Sequence, residues 1–163
     1  MPDNRLHDTD FFSWTQQQAD ALRAVASGVK SNIVDWDNVI EEIESLGREQ
    51  ERALASHLRN VLSHLLKLDY SPADEPKAHW RKEIKLQRLE AEERLDANPS
   101  LKARLPEILA RAYHYARREA AIGLEEDGLA LKDLPEDCPY SLEQTRDMNW
   151  FPVGRAGNER VKD

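Results

Sequence analysis

Apolar side chains recur along most of the chain with the 3.6-residue period of α-helices, and runs of alternating apolar and polar residues that would predict strands are missing. The first predicted helix runs from about residues 8–10 to 27. Early acids suit its positive end and Gly28 suits its C-terminal turn. Its inward stripe reads Phe11, Trp14, Gln18, Leu22, Val25 and Ala26. A second start appears at Asp35, whose carboxylate can accept from free N–H groups of the first turn. From there Trp36, Val39, Ile40, Ile43, Leu46, Leu54, Leu58, Val61, Leu62, Leu65 and Leu68 hold one helical phase to about Asp69. Gly47 lies in this stripe without shifting the phase, which predicts one long helix with either a bend or a close helix contact at that point.

A third helix is expected to open near Pro76 and end near Asn98-Pro99, with Trp80, Ile84, Ala91 and Leu95 inward. Leu86 and Leu89 point the other way, so this helix is expected to be covered on two sides. The fourth covers about residues 100–122, with Leu101, Leu105, Ile108, Leu109, Ala112, Tyr113, Ala116 and Ala120 inward and Pro106 a break or restart in its first turn. Ser141-Leu142-Glu143-Gln144 reads as a capping box opening a short helix, and Trp150-Phe151-Pro152 as an aromatic anchor. The expected fold is therefore all-α: a bundle of about four principal helices plus a short C-terminal helix and an anchored tail. Residues 1–152 are expected to form a single helical domain and residues 153–163 a flexible polar tail.

The length of 163 residues suits one core, and one cysteine, Cys138, excludes an internal disulfide or a CxxC metal or redox site. No apolar run approaches the roughly 18 residues of a membrane span and no apolar leader opens the chain, so a cytoplasmic protein without membrane contact is expected. The net charge of −8 disfavours a general nucleic-acid binder. That average hides an asymmetry: residues 1–75 carry 7 basic against 14 acidic side chains, residues 76–123 carry 11 against 7, and residues 124–163 carry 5 against 10. Neutralisation between neighbouring segments is the simplest expectation.

Several stretches form a recognisable set: Asp10-Phe11-Phe12-Ser13-Trp14, the run Asp35-Trp36-Asp37-Asn38-Val39-Ile40-Glu41-Glu42-Ile43-Glu44-Ser45-Leu46-Gly47, His64-Leu65-Leu66-Lys67, Trp80-Arg81, Asn98-Pro99-Ser100-Leu101, and residues 135–144 around Cys138-Pro139-Tyr140. Together they resemble the bacterial domain-of-unknown-function family 29. The resemblance implies an all-helical protein and carries no catalytic residue or cofactor with it.

Candidate chemistry is sparse. His57 and His64 share a helix edge, but seven residues of rise separate them by about 10.5 Å, too far for one ion without a third element between them; half-buried residues with hydrogen-bond partners are expected. Glu41, Glu42, Glu44, Glu49 and Glu51 read as a solvated face. Cys138 has no neighbouring base and reads as a packed residue beside a turn. No metal and no cofactor is expected. The least ordinary feature is two basic stripes, Lys77, Arg81, Lys85 and Arg88 on the third helix and Arg104, Arg111 and Arg118 on the fourth, which make a candidate interaction surface. Arg81, beside Trp80, reads as structural. The preferred reading is a small non-catalytic interaction or adaptor protein acting through a helix face on another protein. The alternatives are a metal-dependent hydrolase or nuclease-like enzyme, needing converging His and carboxylates, and a nucleic-acid binder, needing an uninterrupted positive surface.

Overall fold

The computed structural model describes residues 5–28 and 34–155. They form α1 (Arg5–Thr9), α2 (Phe11–Ala26), α3 (Trp36–Tyr70), α4 (Lys77–Ala97), α5 (Leu105–Gly123) and α6 (Leu142–Arg146), joined by short 3-10 turns at Pro99–Arg104, Glu125–Asp127 and Leu131–Asp133. The fold is all-α, with four long helices, and there is no strand among the described residues. Of the expected polar tail, residues 156–163 lie outside the described residues. The contacts divide the chain into two compact units, Met1–Leu54 with Glu93–Arg104 and Ala55–Glu92 with Leu105–Asp163.

In the first unit α2 and the start of α3 run antiparallel. Arg23 pairs with Glu44 at one end and Thr15 faces Gly47 in the middle. At the other end Asn98 touches both, accepting from the Phe12 N–H at 2.9 Å and donating to Gln50 Oε1 at 3.3 Å. The α2 start is closed twice over: Asp10 accepts from Ser13 N at 2.9 Å as its N-cap, and Asp10 also receives Ser100 N at 2.7 Å and Ser100 Oγ at 2.9 Å. The Asp10-Phe11-Phe12-Ser13 and Asn98-Pro99-Ser100 stretches are therefore two halves of one hydrogen-bonded staple.

Helix α3 is unbroken through Gly47, whose role is a close approach. A Cβ there would fall well inside contact distance of Thr15 Oγ1 and 3.4 Å from Thr15 Cβ. Thr15 is fully buried and its hydroxyl donates to Phe12 O at 2.7 Å. This contact also sets the rotation of α2. Its buried residues are Phe12, Thr15 and Ala19, whereas the expected inward stripe is only half-buried at Phe11, Trp14, Gln18, Leu22 and Ala26, and Val25 is 52% exposed.

The second unit is built on α3 beyond Leu54 and on α5. Leu58, Val61, Leu62, Leu65, Leu66 and Leu68 of α3 are buried, as are Leu105, Ile108, Leu109, Ala112, Tyr113, Ala116 and Ala120 of α5; Leu101, expected with them, is buried in the turn of the first unit. Pro106 restarts the helix: residues 99–104 are 3-10 and the α-helix begins at Leu105, where a missing N–H costs nothing. Leu86 and Leu89 of α4 are exposed, so that helix is not covered on a second side by described residues. The capping box forms as read, with Ser141 Oγ accepting from Gln144 N and Gln144 Oε1 from Ser141 N, both at 3.0 Å. Residues 131–140 are fastened to α5 by Tyr113, whose hydroxyl donates to Pro135 O at 2.6 Å, and by Arg117, which donates to the carbonyls of Leu131 and Leu134.

Candidate interaction surface

The seven basic residues read as two surface stripes do not share one fate. Arg88 is 1% exposed. Its guanidinium donates to Gln144 O, Thr145 O and Trp150 O, each at 2.9 Å, with Phe151 stacked 5.3 Å from Cζ. It therefore belongs to no surface: it holds the last carbonyls of α6 and the Trp150-Phe151 anchor, and burial lowers its pKa to about 10 against the pull of Asp147. Lys77 is bonded to Asp74 at 2.8 Å. Arg104 is bonded to Glu51 at 3.2 Å, over the Phe12 ring at 5.6 Å. Arg81, Lys85, Arg111 and Arg118 are exposed, Lys85 lying 6.0 Å from the Phe151 ring. The α4 stripe is thus interrupted by a buried member and a paired one. Glu51, read as part of a solvated face, is 8% exposed because it meets Arg104.

The remaining titratable candidates are held locally. His57 Nδ1 lies 2.8 Å from Gln87 Oε1, and His64 Nδ1 lies 2.8 Å from Asn60 O, with burial pushing the His64 pKa down. Cys138 is half-buried, its thiol is pushed up by burial, and Sγ faces Tyr140 O at 3.3 Å. Asp69 is buried, accepting from Tyr140 OH at 3.0 Å and meeting Arg155 at 3.4 Å. Among the described residues no three His, Cys, Asp or Glu side chains could share a metal ion, and no helix is long and apolar enough to cross a membrane.

What sequence reasoning missed is an apolar face in the first unit. On α3, Val39, Ile43 and Leu46 lie within about 60° of one another, to one side of the buried line Ile40, Gly47, Leu54. Val39 is 39% and Leu46 44% exposed. On α2, Leu22 and Val25 are similarly offset from Phe12, Thr15 and Ala19. The Arg23–Glu44 pair fixes which flanks coincide. In an antiparallel pair the flanks that turn away from such a bridge share the opposite side, so Leu22 and Val25 border the same surface as Val39, Ile43 and Leu46. His7 stacks edge-on against Phe11 and Trp14 at 5.5 and 4.7 Å, which covers the far end of the α2 stripe, whereas at this end Val25, Val39 and Leu46 are exposed. Glu42 and Glu49, both exposed, lie three or four residues from Val39 or Leu46 and edge the surface.

The sequence matches, over residues 6–151, the family model described as domain of unknown function DUF29. The chain belongs to this family. The DUF29 match takes in the staple at Asp10 and Asn98, the Gly47 contact, Arg88 with its three carbonyls, and the apolar face. Among solved structures, the chain is similar to an alpha-helical protein of unknown function from Rhodospirillum rubrum, with 26% identity and a TM-score of 0.69 over 88% of this chain and 90% of that one. No curated protein matches. Neither the DUF29 family nor this neighbour carries an assigned activity.

Proposed function

We propose that this DUF29 protein is a non-catalytic interaction protein of the cytoplasm, which docks another protein on the apolar face of α2 and the start of α3. The observation that carries the reading is that face: apolar side chains from two helices border one surface, and Val25, Val39 and Leu46 are exposed there. Contiguous exposed apolar area is costly to leave in water and marks contact surfaces. The buried Arg88 and the pairings of Lys77 and Arg104 weigh against the basic stripes as a continuous track for a phosphate backbone. The test is recovery of partners from cells expressing the full chain at native level. Leu46→Gln with Val39→Gln is expected to lose the recovered protein, while Leu86→Gln with Leu89→Gln on α4 keeps it. Equal recovery by both double variants, each with a wild-type melting profile, would refute the reading.

A further inference from the structure

We infer that the occupant of this face is a cationic amphipathic helix of a partner protein, an apolar stripe flanked by Lys or Arg; the inference rests on the docking role proposed above. The apolar strip on α3 recurs at positions 39, 43 and 46, the three- and four-residue spacing on which a helix laid alongside would seat its own apolar side chains. Charge then selects the partner. Residues 1–54 carry 11 acidic against 5 basic side chains. Of the basic ones, Arg23 is bonded to Asp20 and Glu44, and Arg48 to Glu41, on the flank away from the strip. Arg52 lies beyond Glu49, further round the helix from Leu46. The charged side chains of α3 that edge the apolar strip are Glu42 and Glu49, both exposed; one turn beyond Leu46, Gln50 in the strip's own phase accepts from Arg94 at 3.3 Å, so that cation already has a partner. A second copy of the same face would set these carboxylates against their like, whereas a helix with Lys or Arg beside its apolar stripe would pair with them.

The probes are two peptides about three heptads long. Each has leucine on one face, one with lysine flanks and the other with glutamate in place of lysine. Each is labelled and titrated with the full-length protein by fluorescence anisotropy. The lysine peptide is expected to bind, at least about tenfold tighter than the glutamate peptide, and to weaken as salt is raised. Leu46→Gln, and separately Val25→Gln on α2, should each weaken the lysine peptide about tenfold, with an unchanged melting profile because both residues are exposed. Glu42→Lys with Glu49→Lys should reverse the preference between peptides. Leu86→Gln with Leu89→Gln should change nothing. Equal affinity for the two peptides, or indifference to the Glu42 and Glu49 reversal, overturns the cationic helix. Sedimentation of the wild type as a dimer that Leu46→Gln dissociates overturns it in favour of a second copy. If Leu46→Gln and Val39→Gln still abolish partner recovery from cells when the peptides show no preference, the identity of the partner has failed and the docking role has not.

Discussion

Replacing Arg88 by methionine tests whether a buried cation organises the C-terminal segment. Methionine has similar length and no donors, so the change removes the hydrogen bonds to Gln144, Thr145 and Trp150 without opening a large cavity. A hydrogen bond from a charged donor contributes about 1.5–3 kcal/mol, and all three carbonyls lose theirs. Against this stands the cost of keeping the guanidinium out of water. The lowering of its pKa to about 10 by burial corresponds to roughly 3 kcal/mol disfavouring the cation. The balance predicts a loss of about 2–6 kcal/mol, or about 4–24 °C in melting temperature for a chain of this length. Thermal melting followed by circular dichroism at neutral pH reads the total, and amide exchange at residues 144–150 reads the locality. Arg88→Lys, which keeps the charge but lacks a fork able to reach three carbonyls, should fall between. If Arg88→Met melts at or above the wild-type temperature with unchanged exchange in α6, the carbonyls are satisfied without the arginine. The buried charge is then a net cost, as buried ions can be.

Other consequences of the packing can be measured in the same way. Gly47→Ala should destabilise by about 1–2 kcal/mol despite the roughly 1 kcal/mol that alanine gains in helix propensity, because Thr15 Oγ1 occupies the space; combined with Thr15→Ala it should become neutral or stabilising, and a cycle of four melts decides. Asp10→Ala removes the α2 cap and both bonds to Ser100, and is expected to cost about 2 kcal/mol in denaturant unfolding, more than Asp8→Ala in α1. The His64 pKa is lowered mainly by burial, with Lys67 and His79 acting in the same sense and the Asn60 carbonyl and Glu83 opposing. The unfolded chain therefore takes up the proton first, and stability should be complete above about pH 6.5 and decline as the pH falls below it; His64→Gln should flatten the slope below about pH 6.5, and an unchanged slope would refute the assignment.

Much of the fold is legible in the periodicity, and the failures share a physical cause. Along α5 every position read as inward is buried, because an unbroken run of Leu, Ile and Ala in one phase leaves a single way to face the core. Residue type alone places Arg88 and Glu51 on the surface, although each lies on a buried phase, Arg88 with Ile84, Ala91 and Leu95, and Glu51 with Gly47, Leu54 and Leu58. Phase was the signal that could have found them: a charged residue on the apolar line is buried with partners, here three carbonyls and Arg104. Those partners lie tens of residues away in the chain, so the bonds themselves could not be read.

Helix α2 shows the converse, and it bears on function. Its more hydrophobic stripe, Phe11, Trp14, Leu22 and Val25, is not the one it buries; the buried one holds a phenylalanine, a threonine and an alanine. The reason is shape. Gly47 lets α3 come close enough that only small side chains fit opposite, so Thr15 and Ala19 turn inward and the larger residues are carried round to the flank. Dispersion across a close, well-filled contact, with the Asp10 and Asn98 hydrogen bonds fixing one end, outweighs the roughly 25 cal/mol per Å² forgone by leaving those side chains partly in water. That forgone burial remains available to whatever covers the flank. A pattern that points to the wrong inward face can therefore point to the right outward one: in this hairpin the apolar residues that the close contact displaces are those that border the open surface beside Val39 and Leu46.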